Sequence, residues 1–423
     1  MSKVVWNPQM TLIEDTTKYI LALNENYFKV PKIYYEYLCK IIGKVQYSDV
    51  PKYFAEEDQD IVSKIIEKLK MIGILIEEHQ TENVKVQEVT LLLTGKCNFS
   101  CLHCCQDAEC GGKAQEELTY SEICRIIDKI EKLRIPYILL SGGEPMLRKD
   151  FFDIVSYIKK NYSGKLSMIT NGSFINQNNL KFIVKNFDSI SLSLDGCDKE
   201  LTLAIRGKDV YDDVLLKADM LKKAGLKYVA ISAILPPSRE AEEKFDEICK
   251  TYNVKGEPRM YSMNGRGGLN AQKIQRIYDA YLEKKGYKKY NPIKYEYLGC
   301  LEHCGACRGN LTIDAEGNVY PCNLLQDDCF LMGNIRQDMG VLDNYLESKG
   351  AAEIEKVRKL SGMPCEQCDI KNVCWSCLSD VITFANGMIS YEERCKYRKQ
   401  SIYKYYEVEK YGFGNLDNNA MQS

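Results

Sequence analysis

The chain has 423 residues, of which 45% are apolar and 27% charged, and its formal net charge at pH 7 is −2. This length suits two or three domains with a sizeable core. The near-zero charge excludes a general attraction to nucleic acid or to an anionic membrane. No apolar run has the length of a signal peptide or of a membrane span, so a cytoplasmic location is predicted.

Residues 1–80 are predicted to form a small α+β unit. A turn signal, Asn24-Glu25-Asn26, lies between two apolar segments and indicates a β-hairpin. Helical periodicity and a short strand follow. The predicted elements are the strands Tyr19–Leu23 and Tyr27–Val30, helices over residues 31–43 and 59–72, and the strand Ile74–Glu78. The second helix has the predicted apolar face Ile61, Ile65, Ile66, Leu69 and Ile72.

Residues 88–290 alternate strand and helix patterns. The strand candidates are Val89–Thr94, Tyr137–Ser141, Leu166–Thr170, Ser189–Leu194, Tyr228–Ile234 and Gly256–Tyr261. Amphipathic helices fall between them, and Thr119 with Glu122 predicts a capping box at the start of one. This alternation predicts an α/β fold, best matched by a partial (β/α)6 TIM-like barrel, with a doubly wound sheet as the alternative. In either fold, ligands bind at the carboxyl ends of the strands.

The 19 cysteines are many for a chain predicted to stay in a reducing compartment, where such clusters favour metal binding or catalysis over disulfides. Three of them, Cys97, Cys101 and Cys104, directly follow the first predicted barrel strand, and ten lie between residues 300 and 395. Residues 300–400 lose the strand–helix alternation and are predicted to form a small metal-stapled domain. Residues 401–423 are predicted to be a helix end and a tail.

Three thiolates in one loop can hold three irons of a four-iron cluster, which leaves the fourth iron open for a small molecule. Zinc is the alternative, with Cys105, Cys110 or His103 completing the site. The spacing alone does not decide between these two metals.

Further motifs, in this order along the chain, resemble the radical S-adenosylmethionine (SAM) superfamily. Its signature is three cysteines with gaps of three and two residues, as at Cys97, Cys101 and Cys104. Polar segments follow at three successive strand ends, with an arginine further on. They are Gly142-Gly143-Glu144-Pro145, Thr170-Asn171-Gly172, Ser193-Leu194-Asp195-Gly196, and Arg206.

The resemblance implies a [4Fe–4S] cluster on the three cysteines, with SAM on its open iron. The implied SAM contacts are Gly142, Gly143, Glu144 and Pro145 for the ammonium, Asn171, Ser193 and Asp195 as polar contacts, and Arg206 for the carboxylate. His103 stands where the family usually has an aromatic residue, and its imidazole can stack near adenine. An electron from a flavodoxin- or ferredoxin-type donor would cleave SAM to a 5′-deoxyadenosyl radical, which abstracts a hydrogen atom.

The C-terminal cysteines resemble the SPASM extension of radical SAM proteins, in which a Cys…Gly-x4-Cys segment precedes a cysteine quartet and one later cysteine. The resemblance implies two auxiliary [4Fe–4S] clusters, and so three clusters in all. The first would use Cys322, Cys377 and one or both of Cys304 and Cys307, and the second would use Cys365, Cys368, Cys374 and Cys395. Only two residues separate Cys374 from Cys377, where the usual pattern has three. Zinc is again the structural alternative.

The N-terminal unit resembles, in its pattern of elements, the winged-helix-like recognition element of maturases of ribosomally made peptides. That element captures a leader peptide as an added strand. The alternatives are a structural cap on the barrel and a nucleic-acid-binding winged helix. Residues 1–80 contain ten Lys, no Arg and twelve Asp or Glu, a balance that disfavours phosphate binding, so no nucleic-acid partner is predicted.

Together, the three regions predict an enzyme that modifies a precursor peptide, with thioether links from cysteine sulfur to carbon as the first expectation. The alternatives are a carbon–carbon crosslink, the oxidation of a side chain, and a non-catalytic zinc-binding interaction protein. Sulfatase-modifying relatives have a basic aspartate where this chain has Asn323. An amide cannot accept the proton, so that activity is disfavoured.

The glycine-rich segment Asn264–Gly268 lacks the lysine of a phosphate-binding loop and is predicted to be a flexible turn.

Overall fold

The computed structural model describes residues 3–7, 9–23, 26–78, 86–108, 116–259, 261–290, 301, 304–385 and 391–409. The predicted turn residues Asn24 and Glu25, the candidate ligand Cys110 and the predicted tail beyond residue 409 lie outside these ranges. The described residues form two compact units. The first unit contains those of 1–84, 292–304 and 356–423, and the second contains those of 85–291 and 305–355.

The structure contains strands and α-helices with the following bounds. The strands are β1 Val4–Trp6, β2 Thr11–Glu14, β3 Lys18–Leu23, β4 Asn26–Pro31, β5 Leu75–Glu77, β6 Glu88–Leu92, β7 Tyr137–Ser141, β8 Lys165–Thr170, β9 Ser189–Ser193, β10 Tyr228–Ala233, β11 Lys255–Pro258, β12 Asn310–Ile313, β13 Asn318–Tyr320 and β14 Gly333–Asn334. The helices are α1 Lys32–Ile41, α2 Gln59–Met71, α3 Tyr120–Lys132, α4 Phe151–Asn161, α5 Gln177–Asn186, α6 Lys199–Arg206, α7 Tyr211–Lys223, α8 Arg239–Thr251, α9 Gly265–Lys285, α10 Val341–Asn344, α11 Lys349–Arg358, α12 Lys371–Cys374, α13 Leu378–Ala385 and α14 Tyr391–Tyr405. Among the described residues, no helix has both the length and the apolar character needed to cross a membrane.

The first unit contains a three-stranded antiparallel sheet in the order β2-β3-β4. The predicted hairpin is confirmed as β3 and β4, with Leu21 opposite Phe28. The strand predicted at Ile74–Glu78 is confirmed as β5, and it pairs with β1. The sequence patterns missed β1 and β2, because each has at most four residues and too little alternation to register.

The apolar face of α2 differs by one position from the prediction. Val62, Ile65, Ile66 and Leu69 are buried, whereas Ile61 has 46% of its surface exposed. The buried set follows the i, i+3, i+4, i+7 spacing that brings side chains to one helix face, and Ile61 lies off that stripe. The prediction for Ile61 was therefore wrong.

One face of the three-stranded sheet packs on the core that includes α1 and α2, and residues at the end of α14 cover the other face. Ile13, Ile20 and Ala22 point to this face and are fully buried. At β4, the ring of Tyr27 lies 5.2 Å from that of Tyr406, and the Lys29 ammonium donates to the Glu407 carbonyl at 2.8 Å. The N-terminal strands and the end of α14 therefore share one core within the first unit.

The second unit is built on a nine-stranded sheet in the order β11-β10-β9-β8-β7-β6-β12-β13-β14. All six predicted barrel strands are present as β6 to β11, and each is parallel to its neighbour. Each new strand is added on the same side of the preceding one. A doubly wound sheet would reverse its order at a switch point, so this topology is that of a partial (β/α)6 barrel. The sequence patterns missed β12, which extends the sheet parallel to β6, and the antiparallel strands β13 and β14.

The two faces of the parallel strands differ in polarity. On the face that packs against helices, the side chains are apolar and buried, as with Ile138, Met168 and Ile231. The other face carries a few apolar residues, such as Leu139 and Ile169, but most of its paired positions are polar: Thr90, Ser167, Ser189, Ser191, Ser193, Ser232 and Glu257. Strands of parallel sheets are usually apolar on both faces. This polar face is therefore the expected place for a bound ligand.

Helix α3 begins with the predicted capping box. The Thr119 hydroxyl accepts from the Glu122 N–H, and Glu122 Oε2 accepts from the Thr119 N–H at 2.7 Å. Glu122 Oε1 also accepts from Arg336 Nε at 2.8 Å, which ties the helix to the segment after β14. The hydrogen bond from Arg336, supported by Thr119, holds the pKa of Glu122 at about 2, below its ordinary 4.5.

We expect Glu122→Gln to lower the free energy of unfolding by about 1 kcal/mol at pH 7, because a neutral amide cannot form the charge-assisted hydrogen bonds that the carboxylate accepts from Arg336. Because the folded pKa is depressed, this stabilisation is complete above pH 4.5 and is lost as pH falls toward about 2. Urea unfolding of wild type and variant at pH 7 and pH 3 measures the difference. The exposed Glu67→Gln serves as the control, and a gap that persists unchanged at low pH would contradict this assignment.

Candidate active site

The three cysteines after the first barrel strand lie together at the carboxyl edge of the parallel sheet. Cys97 and Cys101 are each 9% exposed and pack in one cluster with Phe99 and Ala108, with Cys104 against it. Cys97 Sγ accepts from the Phe99 N–H at 3.4 Å and lies 4.0 Å from Asn171 Nδ2. Burial raises the pKa of the Cys97 thiol, and the hydrogen bond from the Phe99 N–H opposes that shift toward the thiolate, the form that binds iron.

These thiols suit an iron–sulfur cluster in their softness and in their gathering within one loop. Within the described ranges, no three His, Cys, Asp or Glu side chains converge closely enough to hold a single metal ion. The assignment of Cys97, Cys101 and Cys104 as iron ligands therefore stays a prediction.

The Gly142-Gly143-Glu144-Pro145 segment packs against the strand end that leads into the cysteine loop. The Gly143 N–H donates to the Thr94 carbonyl at 2.8 Å, and the Glu144 N–H donates to the Lys96 carbonyl at 2.9 Å. A Cβ atom on Gly143 would lie 2.1 Å from the Lys96 carbonyl oxygen. Gly143 is thus required by the approach of two protein segments, a reason that the sequence motif did not reveal.

Glu144 is fully buried and accepts hydrogen bonds from neutral donors. Its carboxylate binds the Thr170 hydroxyl at 2.7 Å, the Asn171 N–H at 2.8 Å and the Met146 N–H at 3.2 Å. Burial raises the pKa of Glu144 above its ordinary value, although these donors oppose the shift. The structure therefore brings Glu144 and Asn171 together next to Cys97, as their positions at strand ends predicted.

Asp195 lies just beyond the end of β9 and is surrounded by basic side chains. It is completely buried, with His103 Nε2 at 3.1 Å, the Arg206 guanidinium in direct contact, and Arg259 Nη2 at 3.4 Å. Burial alone acts to raise the pKa of Asp195, but His103, Arg206 and Arg259 outweigh it and hold the pKa below the ordinary value. The carboxylate is therefore ionised.

Arg259 was not predicted as a site residue. It follows β11 directly, where the predicted strand extended to Tyr261, and no motif marks it.

Two further predicted SAM contacts also lie at strand ends of the sheet. Ser193 is the last residue of β9 and is paired with Ser232, and Pro145 opens a short 3-10 turn over Pro145–Leu147. All the predicted SAM contacts lie in the second unit.

Two nitrogens at this site are buried without a partner. His103 Nδ1 and Arg206 Nε have no hydrogen-bond partner among the described residues, although both side chains are largely buried. Buried polar groups in proteins nearly always have a hydrogen-bond partner. Two buried nitrogens without one, both beside the cysteine loop, therefore indicate a ligand-binding site. SAM, with its carboxylate and its adenine acceptors, has the chemistry to satisfy both groups.

The segment Asn264–Gly268 is not the flexible turn that was predicted, because Gly265 begins α9. The helix start packs onto the cysteine loop: Arg266 Nε donates to the Cys101 carbonyl at 3.2 Å, and its Nη2 donates to the Ala108 carbonyl. Asn270 Nδ2 donates to the Leu102 carbonyl at 3.1 Å. Gly265 has φ +54°, and a Cβ atom there would lie 2.7 Å from the Cys104 carbonyl oxygen. Tertiary contacts with the loop thus give a glycine-rich stretch its helical structure.

The C-terminal cysteines are divided between the two units. Cys304, Cys365, Cys368, Cys374, Cys377 and Cys395 lie in the first, and Cys307 and Cys322 lie in the second. In the first unit, a hydrogen bond with Cys365, then burial and the neighbouring Cys365 and Cys374 thiols, raise the pKa of Cys395. In the second, the Cys307 N–H donates to the carbonyl of Pro321, the neighbour of Cys322.

Family comparisons match both cysteine-bearing regions. Residues 91–251 match the model of the radical SAM superfamily, and residues 304–369 match that of the SPASM iron–sulfur cluster-binding domain. In sequence, the chain is similar to mycofactocin maturase MftC of Mycolicibacterium smegmatis, with 28% identity over 306 residues, 68% of this chain and 76% of that protein. It is also similar to the AdoMet-dependent heme synthase of Methanosarcina barkeri, with 24% identity over 348 residues, 72% of this chain and 95% of that protein.

Solved structures share the fold. Streptococcus suis SuiB bound to S-adenosylmethionine superposes with a TM-score of 0.52 at 14% identity, covering 90% of this chain and 96% of that chain. SuiB bound to its precursor peptide SuiA also gives a TM-score of 0.52, at 15% identity, over 90% of this chain and 97% of that chain. At these identities the likeness establishes the fold alone.

Proposed function

Because this chain is a radical SAM protein that also carries a SPASM domain, we propose that it modifies a ribosomally made precursor peptide, most specifically by linking cysteine sulfur to carbon. The observation that carries the proposal is the group of three thiols beside the unpaired His103 and Arg206 nitrogens, at the carboxyl edge of a parallel sheet. Sequence similarity to a mycofactocin maturase and a fold shared with SuiB support a peptide substrate.

In this proposal, Cys97, Cys101 and Cys104 hold a [4Fe–4S] cluster that, together with SAM, supplies a radical able to abstract hydrogen. The Arg206 guanidinium binds the SAM carboxylate, and Asp195 fixes the orientation of the guanidinium. His103 donates or accepts at Nδ1, and its Nε2 is held by Asp195. The packed segments around Glu144 and Gly143 exclude water from the thiols.

Arg266 positions the cysteine loop, so its replacement tests the proposed cluster site. We expect Arg266→Lys to reduce the iron bound at the three cysteines and to slow SAM cleavage at least tenfold, because the single nitrogen of an ammonium cannot span the two carbonyls that separate nitrogens of the guanidinium reach. Iron content and 5′-deoxyadenosine release measure the effect. The exposed Arg276→Lys, on the same helix, is the matched control. Full iron and normal cleavage in Arg266→Lys would show that the loop does not depend on this side chain.

The N-terminal unit is proposed to bind the leader of the precursor peptide. Within the described residues, β4 pairs with β3 alone, so the other edge of β4 offers backbone groups for an added strand.

We further propose that the protein is cytoplasmic and that a flavodoxin- or ferredoxin-type donor reduces its SAM-binding cluster. The two auxiliary clusters on the predicted C-terminal cysteines would accept an electron during product formation.

Mass spectrometry of the product distinguishes the proposed bond from its alternatives. The anaerobically reconstituted protein is reduced with SAM and a cysteine-containing precursor peptide, and the product is then alkylated with iodoacetamide. A loss of two hydrogens per link together with alkylation-resistant cysteines supports a thioether. The same mass loss with alkylated cysteines would replace it by a carbon–carbon link or an oxidised side chain, and the absence of iron would refute the enzyme class.

A further inference from the structure

Two arginines of α14 are buried beside the C-terminal cysteines of the first unit. Arg394 is 3% exposed and Arg398 is 1% exposed. They are four residues apart and therefore lie on one face of the helix, and Cys395 lies three residues before Arg398. Burying a guanidinium costs desolvation free energy unless charged or hydrogen-bonding partners compensate it. Two buried arginines on one helix face therefore indicate a specific structural or functional role.

Arg394 contacts a cysteine sulfur directly. Its Nη1 donates to Cys374 Sγ at 3.2 Å, and its Nη2 donates to the Cys374 carbonyl at 3.1 Å. The guanidinium carbon lies 3.5 Å from the centre of the Trp375 ring. Three different contacts thus fix the guanidinium against one cysteine residue and its neighbour.

Arg398 contacts the backbone of the same loop. Its Nη2 donates to the Cys374 carbonyl at 3.2 Å and to the Val373 carbonyl at 3.5 Å. Both arginines thus hold the loop, and among the contacts within the described residues those of Arg394 include a cysteine sulfur whereas those of Arg398 are to carbonyls. This difference makes Arg398 a matched control for the structural part of the role of Arg394.

The sulfur that Arg394 contacts belongs to one of the four cysteines proposed as ligands of the second auxiliary cluster. Arg394 donates to Cys374 Sγ at 3.2 Å and directly precedes another of the four, Cys395, along the chain. Arg394 therefore lies where it can donate to a cluster-bound sulfur.

We propose that Arg394 raises the reduction potential of the auxiliary cluster held by Cys365, Cys368, Cys374 and Cys395, an inference that rests on the cluster assignment made under the proposed function. Reduction adds one negative charge to an iron–sulfur cluster. A hydrogen bond to a ligand sulfur and a nearby buried cation both stabilise that added charge, and burial leaves little water to screen it. Hydrogen bonds to sulfur and net charge are established determinants of cluster potential.

The potential is measured by EPR-monitored redox titration of the full-length chain in which Cys97, Cys101 and Cys104 are replaced by Ala, so that only auxiliary clusters contribute. In this background we expect Arg394→Gln to shift the midpoint potential of one cluster to a more negative value and to leave the other unchanged. Arg394→Lys, which keeps the charge but cannot make all three contacts, is expected to give a smaller shift in the same direction. Arg398→Gln is expected to give a smaller shift than Arg394→Gln.

Iron analysis separates failure of this inference from failure of the proposed function. A background protein without iron, or one that holds zinc, would refute the cluster assignment itself. Full iron with an unchanged potential in Arg394→Gln would overturn only the role of Arg394. If Arg394→Gln does not retain its iron, the midpoint potential of the Arg394→Lys variant is the deciding measurement. An unchanged potential in the iron-loaded Lys variant overturns the inference. An equal shift in Arg398→Gln would show that the hydrogen bond to Cys374 Sγ does not set Arg394 apart from a second buried arginine of the same loop, and it would overturn the inference as well.

Discussion

Replacement of Cys97, Cys101 and Cys104 together by Ala is expected to abolish SAM cleavage while leaving iron bound at the C-terminal cysteines. The three thiols pack in one buried group in the second unit, and they are the only protein ligands proposed for the SAM-binding cluster. Without them no iron is held beside His103 and Arg206, so bound SAM cannot receive an electron. 5′-Deoxyadenosine release and iron content, both measured anaerobically, check the two parts of this prediction.

Cys105 provides a matched control for the triple variant. Its thiol belongs to the same loop and is partly buried, and it is not a proposed ligand. We expect Cys105→Ala to keep both the iron and the SAM cleavage of the wild type. SAM cleavage by the triple variant would refute the proposed ligand set, and loss of all iron from it would contradict separate cluster sites.

Asp195→Asn is expected to produce the largest loss of stability among single substitutions at the site, about 3–5 kcal/mol in the free energy of unfolding. That is the usual cost of removing one partner from a buried ion pair and leaving the other uncompensated. Here the side-chain charge of Arg206, which is only 4% exposed, would lose its carboxylate, and Arg259 and His103 would lose theirs as well. SAM affinity should fall with stability, because Arg206 would no longer be held in place.

Chemical denaturation of the anaerobic, SAM-free protein measures the first effect, and equilibrium binding of SAM measures the second. Asp213→Asn is the control, because that carboxylate is half-exposed and pairs with Lys217 at 3.1 Å along one helix, an interaction worth about 0.5 kcal/mol or less. The folded pKa of Asp195 is depressed, so its stabilisation is complete above the ordinary value of 3.8 and is lost as pH falls below it. Equal stability losses in the two variants would show that the Asp195 carboxylate does not stabilise the fold through the basic side chains around it.

The regular part of the barrel followed from local sequence. The strands β7 to β10 were predicted to within one residue at either end because apolar residues at every second position, bounded by polar strand ends, are a local signal. The strand-end positions of Glu144, Asn171 and Asp195 predicted their convergence, because parallel strands place their carboxyl ends at one edge. The Thr119–Glu122 capping box was likewise predictable, since its partners are three residues apart.

Contacts between distant segments decided the rest. Arg259 reaches Asp195 across 64 positions, and Arg266 reaches the carbonyls of residues about 160 positions away, so no local pattern could reveal either contact. The pairing of β12 with β6, the cover that the end of α14 places on the N-terminal sheet, and the hydrogen bond from Arg394 to the Cys374 sulfur are of the same kind. Sequence alone thus identified the residue types that we propose carry the chemistry and the strand ends at which they lie. Only the tertiary structure decided which charges face one another, because burial and pairing depend on segments that meet after folding.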